Sequence, residues 1–192
     1  DAGATAEIFV KFVEMLKDQH IMNLKEMNKF GDRNVNAIRK MPTHHIILIA
    51  QNDIGRYNLY QLITASHMTY YARRPRIPKS LINEHREGII IGSACEAGEL
   101  YQAILNDKSE ERIAKIANFY DYLEIQPLGN NQFMIESPKI TKVQNEEDLK
   151  EINRKIVALG ERFNKPVVGT CDVHFMNPED EVYRRIIMAG KG

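Results

Sequence analysis

Two runs of largely β-branched residues, His45–Ala50 (HIILIA) and Ile89–Ser93 (IIIGS), are apolar on both faces. A strand with one wet face alternates apolar and polar residues. Runs like these belong in sheets covered on both sides, as in parallel sheets and barrels. Helical patterns separate the strands. Asn52-Asp53 caps a helix running roughly to Tyr71, and Ala97–Leu105 and Ser109–Asn118 read as two more. Tyr122–Gln126 (YLEIQ) reads as a third strand, Glu146 to Phe163 as a long helix, Pro166–Thr170 as a fourth strand and Pro178–Met188 as the last helix. Buried strands alternating with helices mean an α/β body. Four strands make half to two-thirds of a barrel or doubly wound sheet.

The flanking segments are less regular. Ala4, Ile8, Phe9, Phe12, Val13 and Leu16 recur at helical spacing, so residues 4–18 form an amphipathic helix. From His20 to Met41 no period holds, which reads as a polar linker before a second unit that begins at Pro42. Arg73 to Lys79 contains Pro75 and Pro78 and is not helix interior. Ser80 is expected to cap a short helix ending near Arg86. Residues 129–143 carry no clear pattern. The sequence starts at Asp1 without Met and stops at Gly192 just after a helix, as expected of a piece of something longer.

Composition narrows the function classes. The 192 residues carry 26 Lys and Arg against 26 Asp and Glu, so no global field draws the chain to nucleic acid or lipid. Contact with DNA has to come from a local patch. Cys95 and Cys171 stand far apart with no CxxC, which suits a reducing cytoplasm and leaves both thiols free. No apolar run approaches a membrane span, and no signal sequence is visible.

The chemistry concentrates in PVVGTCDVHFMNPED, Pro166 to Asp180. In extended chain Asp172 and His174 share one face, with Cys171 and Val173 on the other. A carboxylate and an imidazole at a strand end can hold a divalent cation, or simply hydrogen-bond each other. In a parallel α/β body functional groups gather at the carboxyl ends of strands. Cys95, Glu124 and Gln126 lie there too. His44 and His45 are the exception, at the start of their strand, and a shift of one residue decides which points inward. Arg73, Arg74, Arg76 and Lys79, beside Tyr70 and Tyr71, form a basic–aromatic loop of the kind that contacts single-stranded nucleic acid, or an ordinary solvated surface. There is no Gly-rich phosphate loop and no Ser-His-Asp order.

Several blocks in order, PTHHIILIAQNDIGRYNLYQLIT, RRPRIPKSLINEHREGIIIGSACEAGELYQAI, FYDYLEIQP and PVVGTCDVHFMNPED, resemble the PHP (polymerase and histidinol phosphatase) domain of PolC-type bacterial DNA polymerase III alpha chains. The resemblance covers about residues 42–192. It implies the carboxyl-terminal part of a distorted (β/α)7 barrel, lacking its N-terminal strands, with metal ions at the strand ends. His44, Cys95, Asp172 and His174 match the family's ligand positions, and the earlier ligands fall outside this sequence. The implied metal is Zn, Mn or Fe. Cys171 stands where the family usually has Gly or Asn and is not counted. In this type a 3′–5′ proofreading exonuclease interrupts the PHP domain, and DAGATAEIF is similar to its last helix. Residues 1–20 would then be exonuclease-derived and 21–41 a linker, with Asp1 the last acidic residue of an incomplete catalytic site.

The resemblance further implies a parent DNA-directed DNA polymerase, cytoplasmic, using Mg or Mn for polymerase and exonuclease and acting on DNA primer-template with replisome subunits. The PHP part is then either a phosphoesterase or a silent scaffold. The fragment alone is expected to be inactive and, with an open sheet edge, to self-associate.

Overall fold

Ala2–Asp18 forms the first helix, α1, as its apolar spacing predicts. Yet none of its residues is buried, and Phe9 and Met15 are among the exposed apolar side chains. The computed structural model describes residues 2–32 and 35–190. The position of Asp1, the expected exonuclease carboxylate, lies outside them. The chain divides into two units, one comprising residues up to Thr43 with Ala50–Ile89, the other His44–Ile49 with the chain from Ile90 onward.

In the first unit, the stretch read as a connector is helical over Leu24–Asp32 (α2) and Val35–Lys40 (α3). Asn23 Oδ1 accepts from the Glu26 amide at 3.0 Å, and Glu26 Oε2 accepts from the Met22 amide at 2.7 Å. These local caps hold a helix whose polar composition masked its period. Next comes Asp53–Met68 (α4), capped by Asn52, whose Oδ1 accepts from Gly55 N at 2.9 Å. Lys79–Glu84 (α5) starts directly after Pro78 with no side-chain cap, so the expected Ser80 cap is not formed; the fixed φ of Pro78 serves instead. Leu62, Ile82 and Ile89 are buried here. The entry into the second strand is tight. Gly88 has φ +71°, and a Cβ built on Gly55 would lie 1.8 Å from the Gly88 carbonyl oxygen, so side chains are excluded at both places.

The second unit is built on short strands. Ile47–Ala50 (β1) pairs with Ile89–Gly92 (β2), and Leu123–Ile125 (β3) pairs in parallel with Val167–Gly169 (β4), Leu123 opposite Val167. A parallel bridge from Gly92 to Tyr122 carries β2 toward β3, and Asp121 Oδ2 accepts from Ile91 N at 2.7 Å. β1 runs against β2. The Gln51 amide, just past β1, donates to the Gly88 carbonyl just before β2, while His45 at the opening of β1 lies beside Cys95 beyond β2. The all-parallel expectation thus fails at β1. β2 is buried as expected, but β1 leaves Ile47 and Ile49 exposed.

Helices cover the sheet. Glu99–Leu105 (α6), Glu110–Phe119 (α7) and Glu146–Phe163 (α9) pack on one another, and α9 lies against β3 and β4. Between them Phe133–Glu136 (α8) fills part of the stretch without pattern and buries Met134. Ser109 Oγ accepts from the Arg112 amide, while Asn145 and Asp148 make a reciprocal capping box that starts α9. Leu149, Ile152, Ile156 and Gly160 form its buried stripe. Each of the three large side chains contributes about 1.5–3 kcal/mol. At Gly160 a Cβ would meet Val167 Cγ2 at 2.2 Å, so the missing side chain lets α9 close onto β4. A short 3-10 turn at Pro178 leads into Glu181–Ala189 (α10), which buries none of its residues. The body is a helix-rich mixed α/β fold.

Candidate metal centre

Beyond Gly92 the chain leaves β2 through buried Ser93 and Ala94, and Ala94 has φ +60°, a left-handed conformation rare for a residue with a Cβ. Cys95 follows, its carbonyl accepting from Gly98 N at 2.8 Å to close the turn. Asp172, past β4, is also left-handed at φ +47°. Backbone held in such conformations is costly and concentrates at functional sites. Here the two positions bring side chains from separate strand ends together. Cys95, Glu96 and Asp172 each present a ligand atom, all within 4.8 Å of one another.

His45, two residues before β1, lies beside the cluster without being one of its three members, its Nδ1 3.4 Å from Cys95 Sγ. Strand alternation leaves His44 and His45 open, and it is His45 whose ring lies against Cys95, next to the His44 that the resemblance implies. His44 is exposed, and among the described residues no hydrogen bond ties it to this group. His174 is exposed as well. Its ring Nδ1 donates to the Asp172 carbonyl at 2.5 Å. It does not join the three-residue cluster. Cys171 stays out of the cluster too, and its carbonyl accepts from Asn130 Nδ2 at 2.6 Å.

These groups open into a cavity of about 510 Å³ whose wall includes His45, Cys95, Tyr122, Glu124, Gln126 and Asp172. Burial pushes the Cys95 thiol up to about 11, and the carboxylates of Glu96 and Asp172 add to the shift, against a lowering hydrogen bond from Ala97. Burial, and then Glu124, push Tyr122 up to about 12. Crowded anionic ligands that resist ionisation are what a cation would relieve. Thiol, imidazole and carboxylate donors together suit a borderline transition ion such as Zn, and the carboxylates also suit Mn or Fe. The residues fit the metal that the resemblance implies. Glu96 is not among the ligand positions that the resemblance implies, and an acid next to a cysteine carries no metal-ligand spacing of its own.

The arginine loop belongs to the first unit. Arg73 and Arg74 are exposed, with Arg73 at φ +63°. Arg76 is engaged as a brace, its guanidinium donating to the Ala72 and Met41 carbonyls. Lys79 opens α5 and is exposed.

The PHP domain family profile matches residues 6–137. The chain belongs to the PHP domain family. Across its whole length this PHP chain is 53% identical to the DNA polymerase III PolC-type of Clostridium perfringens and 40% identical to that of Bacillus subtilis. It is 50% identical over 88% of its length to that of Caldanaerobacter subterraneus. It spans only 12–13% of the length of these relatives. Among the described residues no helix is long and apolar enough to cross a membrane.

Proposed function

We propose that the chain is the metal-binding rear part of the PHP domain of a PolC-type DNA polymerase III, a replicative DNA-directed DNA polymerase with a proofreading exonuclease. One observation carries the reading: Cys95, Glu96 and Asp172 converge, with His45 against Cys95, in a chain similar over its whole length to part of such enzymes. His45, Cys95 and Asp172 would hold a divalent ion, Zn, Mn or Fe, with Glu96 beside them and His174 presented by its bond to the Asp172 carbonyl. A bound ion of this kind lowers the pKa of its water and makes it a nucleophile toward a phosphodiester. Tyr122 stands in the cavity wall with its side chain hydrogen-bonded to Glu124.

The relatives' name supports a polymerase parent; on this reading its DNA substrate, replisome partners and cytoplasmic location follow from that role. The reading also takes the strands as part of a (β/α)7 barrel, to which the Gly92–Tyr122 bridge between β2 and β3 lends support. The likeness of DAGATAEIF to an exonuclease helix supports assigning residues 1–20 to that domain and 21–41 to a linker, although the family match already begins at residue 6. On this reading the isolated chain lacks polymerase and exonuclease activity, and Arg73, Arg74, Arg76 and Lys79 are the candidates for DNA contact.

A silent scaffold is the second reading. It is favoured by Ser93 Oγ accepting from Glu124 N at 2.9 Å and Thr170 Oγ1 donating to Glu124 Oε2 at 2.9 Å, which join three strand ends beneath the pocket. Measuring metal content and phosphodiesterase turnover of the complete PHP domain, with His174→Ala as comparison, separates the two. Turnover that falls with metal in the variant supports catalysis. Metal-dependent stability with no turnover in either form supports the scaffold.

A further inference from the structure

Between Asp53 and Glu84 the chain carries no acidic residue, although acids and bases balance at 26 each over its whole length. The stretch between them holds Arg56, Arg73, Arg74, Arg76 and Lys79. It also holds Tyr57, Tyr60, Tyr70 and Tyr71, half of the tyrosines in the chain. Charge of one sign joined to aromatic rings suits a polyanion that carries flat, stackable groups.

The structure sets these residues in a line within the first unit. Tyr57, Tyr60, Thr64 and His67 follow at steps of three and four along α4, opposite its buried Gly55, Leu62 and Ser66. Tyr57 is 62% exposed and Tyr60 61%, so neither ring serves the core. The line runs on past the helix, because the His67 ring stacks on Tyr71 with 6.4 Å between centroids. Tyr71 is exposed too, and its hydroxyl donates to the Arg73 carbonyl at 3.4 Å, which ties the ring to the basic loop. There the Ala72 amide donates to the Arg74 carbonyl at 3.1 Å and Arg73 is held left-handed at φ +63°. This tight turn places the two exposed arginines at the end of the aromatic line. Arg56 pairs with Asp53 at 3.1 Å, so the positive charge concentrates at the loop end. At helical rise the line from Tyr57 to Tyr71 is about 20 Å long, room for roughly six stacked nucleotides. Apolar side chains scattered singly over a surface need no partner, but rings in one line beside a cationic loop mark an interaction face.

We propose that the ring line of α4 and the loop from Arg73 to Lys79 form a stacking track for single-stranded DNA. Phosphates lie on the arginines and bases on Tyr57, Tyr60 and Tyr71. A duplex hides its base faces, so the rings favour the single strand. The inference rests on the reading of Arg73, Arg74, Arg76 and Lys79 as DNA contacts and extends it along the helix.

The test is equilibrium binding of the 192-residue chain to a labelled twelve-nucleotide oligothymidylate and to a duplex of the same length, by anisotropy over a range of salt. The chain has no tryptophan, so tyrosine emission reports stacking directly. Wild type should bind the single strand about tenfold more tightly than the duplex, with tyrosine emission quenched. Tyr57→Ala with Tyr60→Ala should weaken single-strand binding by about tenfold or more and leave its salt dependence unchanged. Tyr57→Phe with Tyr60→Phe keeps both rings and should bind like wild type. Arg73→Ala with Arg74→Ala should weaken binding and reduce the slope of log affinity on log salt by about 1.4. All four side chains are exposed, and circular dichroism checks the folding of each variant. Binding that falls only with the arginines would overturn the track and leave the basic loop as the DNA contact. Equal affinity for duplex and single strand would overturn the stacking as well. No binding by wild type would overturn both track and loop and give this face to another protein surface.

Discussion

Thr170, one residue past β4, donates its hydroxyl to Glu124 Oε2 at 2.9 Å and so joins the ends of two parallel strands through a buried carboxylate. A hydrogen bond to a charged, buried acceptor contributes about 1.5–3 kcal/mol. Thr170→Val keeps the shape and removes the donor. It should lower unfolding free energy by about that amount in a urea titration, whereas Thr170→Ser should recover most of it. Equal stability of the two variants would mean that the bond adds nothing.

The Gly55–Gly88 approach makes a second prediction. With a Cβ on Gly55 only 1.8 Å from the Gly88 carbonyl oxygen, Gly55→Ala cannot be accommodated without moving backbone. A loss of about 3 kcal/mol or more is expected. Gly169→Ala, where a Cβ would meet nothing within 4 Å, should be far milder and provides the comparison. Thermal melts of the two variants check the ordering.

Much of this was legible in the chain, and the misses have identifiable causes. The cap at Asn52 and the long helix Glu146–Phe163 follow from local signals that tertiary packing only reinforces, whereas YLEIQ and the PVVG segment are legible as strands but not as partners. The helices at Leu24–Asp32 and Val35–Lys40 were hidden because polar residues dominate them and their caps are local carboxylate and amide bonds, not an apolar period. His45 was ambiguous because a histidine pair at a strand start gives no sign of face until the strand direction is known. The approach of Glu96 to Cys95 and Asp172 depends on how loops fold over strand ends, which no spacing encodes. Periodicity could find the strands but not which residues meet at their ends.

Alkaline pH should unfold the chain through its tyrosines. Burial pushes Tyr101 up to about 12, with Glu96 adding to the rise, and pushes Tyr120 higher still, while an unfolded tyrosine ionises near about 10. The folded pKa lies above the unfolded one. The stability contributed is therefore fully present below about pH 10 and is lost as pH rises toward the folded values. The slope is about 1.4 kcal/mol per tyrosine per pH unit in that window. Urea midpoints should hold between pH 8 and 9.5 and fall from roughly pH 10 upward. A flat profile to pH 12 would contradict the burial of these phenols.

The two thiols should react differently. Cys171 is exposed, whereas Cys95 is half-buried with its pKa raised to about 11. The thiolate is the nucleophile. In metal-free protein near neutral pH, iodoacetamide should therefore modify Cys171 well before Cys95, as read by peptide mass mapping. Cys95 labelling should speed up with pH toward about 11. Equal rates would mean that the Cys95 pocket is open.

Exposed apolar side chains should draw copies of the chain together. Ile47 and Ile49 on β1 and Ile186 and Ile187 on α10 are exposed. Light scattering coupled to size exclusion should show mass rising with concentration, and Ile47→Lys with Ile49→Lys should reduce it.

Cobalt titration followed by optical absorption tests the central claim most directly, since a thiolate bound to Co2+ gives a charge-transfer band in the near ultraviolet. The wild-type chain should develop that band saturably, Cys95→Ser should abolish it, His45→Ala should weaken it, and Cys171→Ser should leave it intact. No band in the wild type, or a band that depends on Cys171 and survives Cys95→Ser, would contradict a metal centre built on Cys95, His45 and Asp172.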